Sequence, residues 1–197
     1  MKKFRTADMV KIALLSAVAY SLSLLKLPTF QIFPEFLKLE LGDIPAVLAA
    51  ITLGPAAGIA VEAIKNLLAC LIAPNGKFIG EFANFVIGAS YVGTLGLIYK
   101  NKKNIQAFTI GAITATFVMA AVGCLMNYYV FIPVYAWILN VEPQLFVDIA
   151  SAVNSRINSF AMLIVLAILP FNLLKGVLVS VLGYLIYRVL KPIINRF

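Results

Sequence analysis

Apolar residues run along this chain in long stretches, separated by short polar clusters rather than by strict alternation. Uninterrupted apolar runs predict membrane-spanning helices, each needing about 20 residues to cross a hydrocarbon core of about 30 Å. A barrel would require alternation along every strand. The runs predict six spans: helix 1 at about Ala7–Leu25, helix 2 from Asp43 to near Gly54-Pro55, and helix 3 at about Ala56–Ala73. Helix 4 follows at about Phe78–Tyr99, helix 5 at about Ile105–Tyr135 and helix 6 at about Asn158–Leu190. Asp43 suits an N-cap, with Pro45 in the first turn. The breaks are a loop over Lys26–Gly42 with Pro28 and Pro34, a tight P-N-G-K turn at Pro74–Lys77, and K-N-K-K-N at Lys100–Asn104. A longer connection over Ala136–Ile157 is expected to be exposed because it carries Asp148 and Arg156. The fold expected is an all-α integral membrane protein, a six-helix bundle forming one domain over 1–197.

One segment departs from this pattern. In "LKLELGDIPAV" (Leu37–Val47) leucines alternate with Lys38 and Glu40 before the chain turns at Gly42. Period-2 alternation predicts a short extended piece with one dry edge and one wet edge. Leu39 and Leu41 are therefore expected to lie over a pocket, with Lys38 and Glu40 facing water and Gly42 letting the chain turn into helix 2.

Composition strengthens the membrane reading. The chain is 62% hydrophobic and 12% charged, with mean hydropathy +1.00; a soluble domain carries about 25% charged residues. The net charge of +8 does not point to nucleic acid, because the basic residues cluster at helix ends. With both termini on one side, that side holds Lys2, Lys3, Arg5, Lys11, Lys100, Lys102, Lys103, Arg188, Lys191 and Arg196. The other holds only Lys26, Lys38, Lys77 and Arg156. The excess puts both termini in the cytoplasm and the Lys26–Gly42 loop outside. The basic start, the apolar middle and the Ala17-Val18-Ala19 triplet resemble a signal peptide, but the apolar run continues to Leu25, so a first membrane helix is expected.

Function classes narrow next. The chain has no histidine, no paired aspartates and no nucleophile motif, which argues against a membrane enzyme. Cys70 and Cys124 lie within apolar runs as free thiols without metal spacing. No G-x-x-x-x-G-K-[ST] loop is present, so an ATP-driven motor would be a separate subunit.

Charges at membrane depth are costly and mark partners or sites. Glu62 and Lys65 lie three apart on helix 3 and can pair, either as a packing ion pair or as part of a site. Glu81 and Asn84 repeat that spacing on helix 4, where a glutamate near a helix start also suits the dipole. Asn172 and Lys175 repeat it again in "PFNLLKG" after Pro170, which is expected to interrupt helix 6 and free a carbonyl. Asn127 in "LMNYYVF" completes a polar set in the outer half of the bundle. A few polar groups in an apolar pocket make a small-molecule site, although interhelical hydrogen bonding is the plainer alternative. Phe85, Tyr128 and the lid leucines are candidate walls. On helix 1, Ala13, Ser16 and Ala17 form a small-residue face that lets another helix approach closely.

Several ordered motifs carry a resemblance: F-P-x-F-L-K (Phe33–Lys38), D-I-P (Asp43–Pro45), G-P-x-x-G (Gly54–Gly58), K-N-L-L (Lys65–Leu68) and G-E-x-A-N-F (Gly80–Phe85). "NYYVFIPVY" and "PFNLLKGVLVSVLGYLIY" extend it through Asn127–Tyr135 and Pro170–Tyr187. Together they resemble the riboflavin-specific S-components of energy-coupling factor (ECF) vitamin transporters. Glu40 and Gly42 depart from a pattern that has Asp and Ser there. The resemblance implies a multi-pass subunit of a prokaryotic cell membrane that binds riboflavin beneath the helix 1–2 loop and has no cofactor of its own. It implies vitamin contacts from Asn127, Asn172 and Lys175. It also implies docking through Ala13 and Ala17 onto a transmembrane coupling protein driven by two cytoplasmic ATPases. An S-component for another vitamin or a purine-like compound, and a structural subunit without a ligand, are the alternatives.

Overall fold

The computed structural model describes residues 5–27, 32–72 and 78–194, with side chains to 189. Pro28, the Pro74–Lys77 turn, Lys2, Lys3, Arg196 and the Lys191 side chain lie outside the described residues. The described residues form seven continuous helical runs. They are α1 (Thr6–Ser23), α2 (Asp43–Thr52), α3 (Pro55–Ile72), α4 (Phe78–Lys102), α5 (Ile105–Leu139), α6 (Gln144–Ser151) and α7 (160–194). Five of them (α1, α3, α4, α5 and α7) are long and apolar enough to cross a membrane. In the loop after α1, β1 (Lys26–Leu27) pairs antiparallel with β2 (Leu39–Glu40), with Lys26 opposite Glu40.

The expected helix 2 is a ten-residue helix, about 15 Å long and half a bilayer deep. Every residue from Asp43 to Ile51 is buried. Asp43 does not cap it: the N-cap is Gly42, with no side-chain cap bond, because the Asp43 carboxylate is taken by two lysines. Gly42 is not there for turning either. Its φ of −64° is ordinary; a Cβ would sit 2.8 Å from the Ala19 carbonyl and 2.8 Å from Ser23 Cβ on α1. The turn that needs glycine is the next one, where Gly54 has φ +110° and its N–H closes on the Ala49 carbonyl at 3.2 Å before Pro55 starts α3.

Helices α5 and α7 run straight through their prolines. A π turn, Asn127–Phe131, lies just before Pro133, and a second, Ile164–Ile168, lies just before Pro170. Each proline lacks the N–H that would bond four residues back and crowds that carbonyl. The helix accommodates this with one wider turn in each case, Ile132 N–H bonding to the Asn127 carbonyl and Leu169 N–H to that of Ile164. The predicted interruption at Pro170 is thus a bulge within a continuous helix.

The connection between α5 and α7 is more ordered than expected. Helix α5 continues to Leu139, and α6 is amphipathic: Phe146, Val147 and Ala150 are buried while Gln144, Asp148 and Ile149 are exposed. Phe146 meets Phe36 of the loop edge-on at 5.6 Å between ring centres. At the far end of the bundle, Tyr99 shares a hydroxyl bond of 2.9 Å with Tyr187, and Phe108 packs on Tyr184 at 5.2 Å.

Close packing of α2 on α3 depends on Gly58. A Cβ there would stand 2.7 Å from Ala50 Cβ and 2.9 Å from the Ala46 carbonyl. Gly58→Val is expected to destabilise the fold by about 2 kcal/mol or more, because a packed interface resists added volume. Thermal unfolding of the detergent-solubilised protein, read as a lower Tm, checks this; an unchanged Tm would refute it.

Candidate functional site

Spacing on α3 puts Glu62, Lys65 and Asn66 on one inward face. All three are buried, at 0%, 1% and 4% exposure. An isolated lysine there would be strongly disfavoured; the structure surrounds it with carboxylates. Lys65 Nζ lies 2.5 Å from Asp43 Oδ1, 2.9 Å from Glu62 Oε2 and 3.2 Å from Glu40 Oε1. Asp43 also reaches α7, its Oδ2 lying 2.9 Å from Lys175 Nζ. Asn66 Nδ2 donates to the Glu62 carbonyl at 2.8 Å and to its Oε2 at 3.2 Å. Gly88 on α4 leaves space for the Glu62 carboxylate, since a Cβ would come within 2.7 Å of Oε2.

Asn84 of α4 joins the lid to α7. Its Nδ2 donates to Glu40 Oε1 at 2.5 Å and to Asn66 Oδ1 at 3.1 Å, while its Oδ1 accepts from Lys175 Nζ at 2.8 Å. One polar network thus ties β2, α2, α3, α4 and α7 together.

A cavity of about 300 Å³ lies against this network, at the lower end of the range for small-molecule sites. The loop supplies Phe36, Leu37, Lys38 and Glu40, and α4 supplies Glu81, Asn84 and Ile87. Asn127, Phe131, Ile132 and Tyr135 come from α5, Phe146 from α6, and Phe171, Asn172 and Lys175 from α7. Aromatic and aliphatic walls surround a handful of donors and acceptors. Asn127 and Asn172 share one device. Each amide nitrogen bonds back to a carbonyl four residues earlier, Gly123 at 2.8 Å and Ile168 at 2.9 Å. Asn172 Oδ1 has no partner among the described residues although the side chain is 2% exposed, which leaves a buried acceptor at the cavity wall.

Of the residues expected at a site, Asn127, Asn172, Lys175, Glu81 and Asn84 line this cavity. Leu39, Leu41, Lys65, Phe85 and Tyr128 are not in its lining. Leu39 is buried against Phe33 and Phe171, Leu41 is half-buried beside the turn into α2, and Lys65 belongs to the ion network behind the wall. Phe85 packs on Phe82 at 6.5 Å, and Tyr128 on Phe160 at 5.1 Å. Glu40 corrects the lid reading: it does not face water but is buried at 9% exposure. The extended segment is dry on both sides, with Leu39 against phenylalanines and Glu40 against the ion network; only Lys38 is exposed. Glu40 and Asp43 are site-forming charges that the sequence pattern alone does not assign to the site; the usable signal is two carboxylates within four residues at the start of an otherwise apolar, buried helix.

On α1, Ala13 and Ala17 are exposed, but Ser16 is turned into the bundle, where its hydroxyl donates to the Ile12 carbonyl at 2.8 Å. Among the five long helices α1 is the least buried.

Comparison with known proteins decides what this architecture is. The family profile "ECF transporter, substrate-specific component" matches residues 7–187. The chain belongs to the substrate-specific components of ECF transporters. This S-component is therefore a multi-pass membrane protein of a transport system and not an enzyme. It is 39% identical over 188 residues to the riboflavin transporter RibU of Staphylococcus aureus (strain TCH60), covering 95% of this chain and 92% of the relative. To the riboflavin transporter FmnP of Bacillus subtilis (strain 168) it is 33% identical over 194 residues, covering 98% and 96%. A solved structure described as "Structure and mechanism of the S component of a bacterial ECF transporter" superposes with TM-score 0.74 at 34% identity, covering 95% of this chain and 96% of that one.

Removing the central cation of the S-component exposes the dependence on pairing. Lys65→Met leaves Glu40, Asp43 and Glu62 buried without their shared partner, which is expected to cost about 3–5 kcal/mol. The yield of monodisperse protein and its Tm measure this. A Lys65→Met chain as stable as the parent would show that the network does not hold the fold.

Proposed function

We propose that this S-component captures riboflavin in the cavity between the Phe36–Glu40 segment and α4, α5 and α7 and delivers it across the plasma membrane of a prokaryotic cell when docked on an ATP-driven ECF module. The observation that carries the reading is the cavity itself. Its phenylalanine, tyrosine and isoleucine walls suit a flat, largely apolar ring system, and a small polar set suits that ring's uracil-like edge and its hydroxylated chain. Lys175 only donates, which suits a carbonyl or hydroxyl oxygen, whereas the Asn172 oxygen accepts. The names of the two relatives point to the same vitamin.

The bundle reads as six crossings, with buried α2 as the short one and α6 lying outside that count. Both termini are cytoplasmic and the lid is extracellular, in keeping with the basic cluster at Lys100, Lys102 and Lys103. Helix α1 faces the coupling protein with Ala13 and Ala17, whose short side chains let a partner helix come close. Ser16 is excluded from that face by its burial. Two cytoplasmic ATPases act on the coupling protein, and this chain supplies no nucleotide site.

Purified protein in detergent is expected to quench the fluorescence of added riboflavin in a saturable titration. Lys175→Ala is expected to weaken that binding by about tenfold or more, a hydrogen bond to a charged group being worth about 1.5–3 kcal/mol, and Asn127→Ala by about fivefold, a neutral one being worth about 1 kcal/mol, while the protein still inserts. Parent-like affinity in both variants would reject this cavity as the site. For the docking face, Ala17→Trp should leave the titration unchanged and abolish uptake by cells carrying the ECF module; normal uptake would move the coupling surface elsewhere.

A further inference from the structure

Glu40 stands at an unusual place for a carboxylate: on the two-residue lid strand, at the cavity wall, with only 9% of its surface exposed. What it does there follows from donor and acceptor chemistry. A carboxylate only accepts and an ammonium only donates, whereas a primary amide does both from opposite ends. Asn84 lies between Glu40 and Lys175. Its nitrogen faces Glu40 Oε1 at 2.5 Å and its oxygen faces Lys175 Nζ at 2.8 Å. Turned the other way, the amide would set an oxygen against a carboxylate and an N–H against an ammonium. Glu40 and Lys175 therefore select one amide orientation between them. Asn66 Oδ1 reinforces it by accepting from the same Asn84 nitrogen at 3.1 Å.

The consequence reaches the cavity through Lys175. Two of its three N–H donors are committed, one to Asn84 Oδ1 and one to Asp43 Oδ2 at 2.9 Å. With both acceptors fixed, the third donor has one direction left, and Lys175 lines the cavity.

We propose that Glu40 is a positioning residue for substrate binding: from the lid strand it orients the Asn84 amide, and through Asn84 it aims the remaining donor of Lys175 at the bound vitamin. The inference rests on the riboflavin reading above and adds a coupling between lid and floor. When β2 lifts, Asn84 loses one of the three partners that hold its amide, the Asn84–Lys175 pair is held less rigidly, and the vitamin is gripped less firmly. With β2 seated, the donor is set before the vitamin arrives. Lid position and grip on the ligand are then one variable, carried by two hydrogen bonds.

The test is stopped-flow release of riboflavin from detergent-purified protein, measured beside the Tm of the ligand-free chain. Glu40→Gln removes the charged acceptor and presents Asn84 with an amide that can donate or accept, so only Lys175 and Asn66 still hold the Asn84 orientation. Release is expected to speed up about tenfold, the worth of one hydrogen bond to a charged group, and the ligand-free Tm measured beside it reports separately what removing that charge from beside Lys65 costs the fold. Glu40→Asp keeps the charge and should stay within about threefold of the parent. Because the effect passes through Asn84, the losses from Glu40→Gln and Asn84→Ala should not multiply in the double variant. Release rates within about twofold of the parent in Glu40→Gln, no rescue by Asp, or fully multiplicative losses would each overturn the inference. Should Glu40→Gln not be recovered folded, Asn84→Asp serves instead. It keeps an acceptor for Lys175 but sets a carboxylate against Glu40, so release should again accelerate, and parent-like release would overturn the inference. A parent chain that binds no riboflavin at all would overturn the functional reading, which separates the two failures.

Discussion

A buried ammonium held by three carboxylates organises this molecule. Lys65 is 1% exposed in a chain whose surroundings are lipid and apolar side chains, where an unpaired charge costs far more than the whole stability of a domain. Its partners therefore have to come to it, and they arrive from separate elements: Glu40 from the lid strand, Asp43 from the first turn of α2 and Glu62 from one turn back on α3. Once Asp43 is placed it claims a second cation, Lys175 of α7, and Asn84 of α4 fills the remaining gap. Satisfying one cation thus fixes the relative positions of four helices and the lid. Such clusters contribute little net stability compared with an apolar core, but they penalise wrong arrangements severely.

That constraint also explains where the cavity lies. The network occupies the lid end of the bundle, the same end at which the two π turns widen α5 and α7. Asn127 and Phe131 sit on the first π turn, and Phe171 and Asn172 follow the second within a turn. The prolines thus alter helix register where pocket residues must be aimed inward, while at the opposite end Tyr99, Phe108, Tyr184 and Tyr187 pack against one another.

Much of this was legible in the sequence because long apolar runs have few structural solutions in a membrane. The boundaries of α1, α3 and α4 lie close to those read from the runs, and Asn84, Asn127, Asn172 and Lys175 stood out as polar residues that membrane physics alone does not explain. What failed to show was long-range pairing. Glu40 fits the period-2 pattern of a half-wet strand, and nothing local reveals that its supposed wet face meets Lys65 twenty-five residues on. Asp43 preceding a helix reads as a cap until the two lysines that claim it are known. Pro170 reads as a break because the wider turn that absorbs it leaves no local mark, and α6 is short enough that its apolar face shows only once Phe36 packs on Phe146.

The most direct measurement is a crystal structure of the purified chain with riboflavin bound. Ligand density is expected between the lid and α4, α5 and α7, with Lys175 Nζ and Asn172 Oδ1 within hydrogen-bonding distance of it and Glu40 still seated on Asn84. Density elsewhere, or a bound vitamin with Glu40 turned out to solvent, would contradict it.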